Sequence, residues 1–472
     1  MTLFSQRRIL AIVLLATLAM FFWGLGSIPL LSFNEARRAV PVREMLTSGD
    51  WLVPTLNGEL YISKPPLIYW LSGLPALIFH STSEWVVRLP SALAAFATTW
   101  LVFFSMRRHF GFTTALFSVL ILITSAGFTT FSRRSEIEML FSACCFCSVL
   151  AAYEYIFSRH DRRWLNAIFV CLGLAFLAKG PVTLLFYIPL MLVFWWRYRL
   201  PEALECLTHW RGWLIALFIA LPWYLLVSLK LGWTVWQQVV ETDIAGKVES
   251  AKFDPLYQYP LWLLGDFLPW CLLPLARPRE SFRRWLSIPQ QGFFAIAAIL
   301  PLVIFSLIAN KHAKYLLPAY PAWAVLLSLS ATDVYNRLSV KGKHGMLIMA
   351  SVLVSAFLVY FSFFESRVLA HRYLVFPKIA TVLDAHPELP VYSWGKVDPR
   401  VVYYHEKTMK VVQRDSLDSA LRDAKGILLF VEGEAPEVVS LKMCLLSEFV
   451  PYLKGGHKAS IWGSGMACAG GG

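Results

Sequence analysis

Residues Ile9–Leu30, ILAIVLLATLAMFFWGLGSIPL, run straight into Leu31–Trp70, LSFNEARRAVPVREMLTSGDWLVPTLNGELYISKPPLIYW. The first stretch is apolar for about 20 residues, long enough to cross a bilayer as a helix. The second carries Arg37, Arg38, Arg43, Glu35, Glu44, Asp50, Glu59 and a Lys64-Pro-Pro element. Beyond Trp70 the chain turns apolar again, with LSGLPALIF. A charged loop between two lipid-soluble segments belongs to a chain that leaves the membrane and returns to it. The fold class read from it is an α-helical polytopic membrane protein.

Composition agrees. Of 472 residues, 57% are hydrophobic and only 15% charged, with a mean hydropathy of +0.57. A soluble domain is charged at about a quarter of its positions. The net charge of +13 would suggest nucleic acid in a soluble chain. In a membrane protein basic residues instead orient the helices toward the cytoplasm, so no nucleic-acid partner is expected.

Spanning segments are read near 9–30, 85–105, 112–131, 138–157, 164–179, 181–196, 212–230, 258–276, 290–309, 315–332 and 345–364, about eleven helices. Alternate connections hold Arg7/Arg8, Arg107/Arg108, Arg159/Arg162/Arg163, Arg197/Arg199, Arg277/Arg279/Arg283/Arg284 and Arg337/Lys341/Lys343. That parity puts the N-terminus in the cytoplasm and both the Leu31–Trp70 loop and the C-terminal tail outside. The reading depends on a turn at Gly180-Pro181 separating two spans. The first apolar run is too long for a signal peptide and lacks a small-residue cleavage site, so it reads as an uncleaved anchor.

The expected domains are 1–364, a membrane domain whose outer loop covers 31–84, and 365–472, a small outer α/β domain. Short runs in the tail, LPVYSW, TMKVV and GILLFVEG, alternate with helical stretches such as SLDSALRDA and HRYLVFPKIATVLDAH. Cys144, Cys145, Cys147, Cys171, Cys206 and Cys271 fall in or beside helices and read as packing thiols. Cys444 and Cys468 lie in the tail, where oxidation is open to them; bridged and free forms both fit. No glycine-rich phosphate loop and no metal-spaced His/Cys set is present. The sequence calls for no cofactor, while leaving room for a divalent cation.

Several cations break the topology pattern. Arg37, Arg38, Arg43 and Lys64, then Arg133 and Arg134 in SRRSEIE, Lys179 in AKG, and Lys311 and Lys314 in NKHAKY fall at helix ends assigned to the outer face. Singly, each reads as a snorkelling or solvated cation. As a set at headgroup depth they suit an anionic ligand, above all phosphate. Glu136 and Glu138 stand among them. Two residues apart on a helix they are about 200° apart, so only one is expected to face a given cavity.

The segment from Asn34 to Phe79, followed by EWVVRLPSALAAF, resembles the first outer loop of the lipid-carrier-dependent glycosyltransferases. These comprise the lipid A aminoarabinose transferases and the protein O-mannosyltransferase-like proteins of GT-C membrane fold. EIEML, FLAKGP, LPWYLL, FLPW and NKHAKYLLPAYPAWAVLL follow in matching order, so the resemblance spans roughly residues 9–364. It implies transfer of a sugar from a polyprenyl-phosphate carrier to a lipid A-like lipid, a glycan or a protein on the outer face. Such chemistry asks for a carboxylate near the acceptor and cations near the departing phosphate. On this reading Lys64 and Arg134 hold the carrier phosphate, and Lys179, Lys311 and Lys314 gather acceptor or carrier phosphates. Glu35 and Glu138 position or deprotonate the acceptor, with Asn34 supporting Glu35. Arg37, Arg133 and Tyr61 complete the binding set.

Two positions depart from the resemblance. Asn34 stands where relatives usually carry Asp, and Asn cannot accept a proton. Either Glu35 or Glu138 is then the carboxylate, or the acceptor is an already anionic phosphate, or transfer is lost and only lipid binding remains. Ser63 stands where aminoarabinose transferases tend to carry Glu, which weakens the case for aminoarabinose and for a metal there. A lipid or lipid-linked-sugar flippase is the rival reading. It explains the helices but not the long first loop, and no inverted repeat is visible.

Overall fold

The computed structural model describes residues 3–158, 160–241, 254–369, 373–423, 426–450, 452 and 457–469. The glycine-rich end at 470–472 lies outside the described residues. The chain is mostly helical and divides into two units. The first comprises 1–25, 62–75 and 88–359; the second comprises 26–61, 76–87 and 360–472. Sequence reading groups 31–84 with the membrane domain. In the structure most of that loop packs with the C-terminal residues instead.

Each of the eleven segments expected to span lies largely on helix, although 9–30 leaves it after Phe22 and 290–309 after Ser306. Among the described residues six helices are long and apolar enough to cross a membrane, or eight if two bent pairs count as single spans. The rest, Leu3–Phe22, Arg162–Lys179 and Tyr320–Arg337, carry arginines or other polar residues near their ends that dilute them. The bent pairs are Phe112–Ile123 with Ala126–Ser132, at 68°, and Gln258–Asp266 with Trp270–Ala276, at 99°. Broken backbone in a bilayer needs internal partners. At the first break Thr124 Oγ1 donates to Leu120 O (2.6 Å), Thr129 Oγ1 donates to Ile123 O (3.0 Å), and Trp270 Nε1 donates to Thr124 Oγ1 (2.8 Å). The second break falls at Phe267–Pro269, where proline has no amide to continue the helix.

The turn at Gly180 is present. Its φ of +81° ends the Arg162–Lys179 helix, and a short 3-10 turn leads into Leu184–Tyr198. Arg162–Lys179 packs closely on Trp210–Leu231. A Cβ at Gly173 would lie 2.9 Å from the Ala216 carbonyl oxygen, and one at Gly212 would run into the Phe169 ring. Small residues let membrane helices approach this closely.

The second unit is built on a five-stranded mixed sheet. After the two-residue hairpin strands β1 (Thr55–Leu56) and β2 (Glu59–Leu60) come β3 (Val391–Trp394), β4 (Lys410–Val412), β5 (Leu428–Glu432), β6 (Cys444–Phe449) and β7 (Ala459–Gly463). Their order is β4-β3-β5-β7-β6; β3 runs parallel to β4 and β5, and β7 antiparallel to β5 and β6. The central strand β5 is buried on both faces, as its unbroken apolar run requires. Leu428 and Phe430 join Phe376, Ile379, Val401 and Ile461, while Leu429 and Val431 join Leu417, Ile427 and Val439. The helix Phe33–Ser48 enters the first of these cores through Ala36, Ala39 and Val40, one face at i, i+3, i+4. The hairpin tip takes left-handed φ at Asn57 (59°) and Gly58 (78°). Asn57 then exchanges two 2.7 Å hydrogen bonds with the Met409 backbone. Cys444 and Cys468 are bridged, with Cα atoms 6.0 Å apart.

Candidate active site

The residues singled out from sequence divide between the two units. In the first, three segments bring charge together. The turn after Ala126–Ser132 is closed by Glu136 N donating to Arg134 O at 2.8 Å. The Ile137–Phe157 helix then starts, with Glu138 in its first turn, where the helix dipole favours an acid. Lys179 ends the Arg162–Lys179 helix, where the dipole favours a cation. The third segment, Ala313–Ala319, is held to Ile137–Phe157 by Ser142 Oγ donating to Leu317 O (2.9 Å), and it carries Lys314.

These placements build a compact ion cluster. Lys179 Nζ lies 3.5 Å from Glu138 Oε1, and Lys314 Nζ lies 3.1 Å from Glu138 Oε1 and 3.6 Å from Glu136 Oε2. The Lys179 ammonium also sits 5.2 Å from the Phe141 ring centre and 5.4 Å from that of Tyr315, within cation–π reach. Lys64 donates to Ser63 O at 2.8 Å, and its charge, with that of Lys314, acts on Lys179. Two ammonium groups thus meet two carboxylates, with the Lys64 charge close enough to act on Lys179. Burial pulls the Lys314 pKa down, but Glu138 and Glu136 more than offset it and hold it above its ordinary value. Burial, and then the Lys314 charge, push the His312 imidazole below its ordinary value.

The expectation that Glu136 and Glu138 cannot share one cavity is corrected here, since both reach Lys314. Glu136 is the helix cap, with extended φ −122° and ψ 153°, so the helical 100° per residue does not apply to it.

Other first-unit candidates have their own partners. Arg133 Nη1 donates to Met20 O at 3.0 Å. The Lys311 ammonium donates to Asp254 O (2.8 Å) and Ile308 O (2.9 Å), while its amide donates to Asp254 Oδ2 (2.8 Å). Arg134 is half-buried beside the turn that positions Glu136.

In the second unit, Asn34 and Glu35 lie in the first turn of Phe33–Ser48. Ser32 Oγ accepts from Glu35 N (3.0 Å) and Glu35 Oε2 accepts from Leu31 N (2.8 Å). This is a variant of the Ser-x-x-Glu capping box, reaching one residue further back. Glu35 is fully buried. Arg37 lies over the Phe33 and Tyr61 rings at 5.2 and 5.1 Å, and Arg38 Nη1 donates to Tyr61 Oη at 3.1 Å. Arg37 and Arg38 of this helix therefore form one basic, aromatic group with Tyr61, which follows β2.

Sequence reasoning left Tyr315, Phe141 and His312 out of the site. Tyr315 and His312 sit inside the NKHAKY element already noted for its lysines. Phe141 carried no signal beyond being apolar in an apolar helix. Among the described residues no group of three or more His, Cys, Asp or Glu side chains is arranged to hold a metal ion.

Residues 63–225 match the family described as dolichyl-phosphate-mannose-protein mannosyltransferase. An uncharacterized protein of Aquifex aeolicus (strain VF5) is 31% identical over 362 residues, covering 75% of this chain and 70% of that protein. The undecaprenyl phosphate-alpha-4-amino-4-deoxy-L-arabinose arabinosyl transferase of Shewanella sediminis (strain HAW-EB3) is 25% identical over 345 residues. That match covers 70% of this chain and 61% of the transferase, so the chain spans under two thirds of that relative's length. Among solved structures, ArnT from Cupriavidus metallidurans in the apo state superposes with a TM-score of 0.78 over 96% of this chain and 97% of its own, at 19% identity. The same protein bound to undecaprenyl phosphate gives 0.77. At that identity the likeness is one of fold.

Proposed function

We propose a reaction from the premise that the chain belongs to the lipid-carrier-dependent membrane glycosyltransferases of GT-C fold. A sugar enters as a polyprenyl-phosphate conjugate, with undecaprenyl phosphate as the carrier by analogy with the named relatives. An acceptor oxygen on a lipid A-like lipid, a glycan or a protein attacks the anomeric carbon. The bond from that carbon to the phosphate oxygen breaks, and the carrier phosphate leaves with the electron pair. Transfer takes place on the periplasmic face of the inner membrane, with the N-terminus in the cytoplasm.

The observation that carries this reading is the Lys179–Glu138–Lys314 cluster with Lys64 in its field. Ammonium groups held at the ends of apolar helices and shielded from bulk water stabilise a departing phosphate strongly. Lys64, Lys179 and Lys314 grip it, and Arg134 borders the same turn. Glu138, facing two ammonium groups, is a weak base and a good anchor. Its role is to fix the lysines and orient the acceptor. Lys311 and Arg133, which donate to backbone carbonyls, act as positioning residues. In the second unit Glu35 and Asn34 hold the helix start, and Arg37, Arg38 and Tyr61 supply an anion-binding edge. A phosphate acceptor needs no base; a hydroxyl acceptor yields its proton to water.

The test is carrier binding by the purified chain in detergent. Undecaprenyl phosphate raises the melting temperature, and undecaprenol, lacking the phosphate, does not. Lys314→Met and Lys179→Met abolish the rise. Equal stabilisation of wild type and both variants would remove the phosphate grip. Mass spectrometry of envelope lipids and glycans, with and without the protein, then identifies what is transferred.

A further inference from the structure

We propose that the second unit carries a saccharide site of its own, a cleft of about 770 Å³ that receives hydroxyl and amine groups rather than phosphate. The volume falls within the range of small-molecule sites, roughly 300–1,000 Å³. Its walls are the C-terminal half of the Phe33–Ser48 helix, the segment 76–84 and the end of the helix Pro399–His405.

The walls are tied together by hydrogen bonds that fix what faces the cleft. Tyr404 Oη donates to Glu84 Oε1 (2.8 Å) and accepts from Leu30 N (2.9 Å). Tyr403 Oη donates to Thr82 O (2.6 Å). Arg43 turns its guanidinium into the wall, donating to Tyr403 O (2.8 Å) and to Val402 O (3.1 Å), the latter carbonyl shared with the Glu406 amide that caps the helix. The cation of the cleft is thereby engaged, while the carboxylates of Glu84 and Glu406 remain as acceptors. Phosphate would meet the Glu84 and Glu406 carboxylates with only Arg43 to offset them. A saccharide presenting hydroxyl or ammonium hydrogens meets acceptors, with Leu46, Leu77 and the tyrosine rings as apolar surface for its C–H face.

A second observation marks the same place. Five non-glycine residues among those described have left-handed φ, and two of them, His80 (48°) and Glu406 (59°), line this cleft. Such backbone is costly for a residue with a side chain and gathers at ligand sites. Each of the two directly follows a helix, Leu67–Phe79 and Pro399–His405, and each borders the cleft.

The inference uses the transferase reading for one thing only, the ligand's role as the sugar portion of the acceptor. The experiment titrates the full-length chain in detergent with a glucosamine disaccharide, its N-acetylated counterpart and glucose 6-phosphate, by calorimetry. The glucosamine disaccharide binds best and the phosphorylated sugar worst. Glu406→Gln weakens the first by about tenfold, the loss of one charge-assisted hydrogen bond. Glu406→Gly, which removes the carboxylate and relaxes the backbone, gives the same loss, so a folding defect is separated from a contact. Equal binding of the phosphorylated sugar, or unchanged affinity in both variants, overturns the proposal. Lys314→Met should leave saccharide binding intact. Saccharide binding without any response to undecaprenyl phosphate defeats the transferase reading alone, and the converse defeats this site alone.

Discussion

Glu138→Gln separates the two things the ion cluster does. The side chain of Glu138 is 9% exposed and its partners Lys179 and Lys314 are 17% and 22% exposed. At 3.5 and 3.1 Å and an effective dielectric of about 20, each Coulomb attraction is about 5 kcal/mol before desolvation is subtracted. Removing one partner of a buried pair costs about 3–5 kcal/mol. Here Glu136 still touches Lys314 at 3.6 Å, so the lower end applies, about 3 kcal/mol. The two ammonium groups left facing each other account for the loss, so Glu138→Gln combined with Lys179→Met should recover a large part of it. Carrier binding moves the other way. Glu138 competes with phosphate for the same lysines, so the glutamine variant binds undecaprenyl phosphate at least as tightly as wild type, while sugar transfer falls. Thermal unfolding in detergent gives the first quantity, and the ligand-induced rise in melting temperature gives the second. If Glu138→Gln lost carrier binding as completely as Lys314→Met, the acid would not be a counter-ion of the grip, and the assignment would fail.

Gly173→Ala should cost about 1–3 kcal/mol by overpacking, because its methyl would stand 2.9 Å from a backbone oxygen; an unchanged melting temperature would contradict that helix contact. Asn57→Ala should cost about 2–3 kcal/mol, through two lost hydrogen bonds and a left-handed φ. Asn57→Gly, which removes only the bonds, should cost less, and proteolysis of the hairpin reads the difference. Burial holds the His405 imidazole below its ordinary 6.5 despite its 2.8 Å contact with Asp384, which, with Lys407 and Arg43, makes up its charged surroundings. The unfolded chain therefore binds the extra proton first. Stability is full above pH 6.5 and falls as pH drops toward and through the folded value. His405→Gln should flatten that slope in unfolding followed between pH 7.5 and 5, taken as about the window of histidine titration.

Hydropathy carried the membrane part of the fold into the sequence, because a bilayer leaves a long helix few alternatives to an apolar run. The bent pairs were hidden, since a Thr-Ser or a Leu-Pro inside an apolar run changes mean hydropathy very little. Strands β3, β4 and β5 were legible as apolar, β-branched runs. Strand β6, CLLSEF, is half exposed, and β7, ASIWG, is rich in small residues, so neither gave the pattern of a buried strand. In the candidate site the charges were legible as exceptions to the topology rule. Their grouping was not. A shared cavity for Glu136 and Glu138 was ruled out by helical geometry that begins only after Glu136, and the aromatic neighbours of Lys179 looked like ordinary lipid-facing or core residues. The partition of the first loop with the tail was invisible too, because no local pattern reports contacts between residues so distant along the chain.

That partition has a consequence for biosynthesis. Ala36, Ala39 and Val40 share a core with Phe376, Val401 and Phe430, and residues 88–359 are synthesised between them. A ribosome feeding this protein into the membrane delivers one half of that core early and the other half last. Until the tail is made, the Phe33–Ser48 helix waits with its apolar side uncovered, so a nascent chain stalled before residue 376 offers that side to chaperones and proteases.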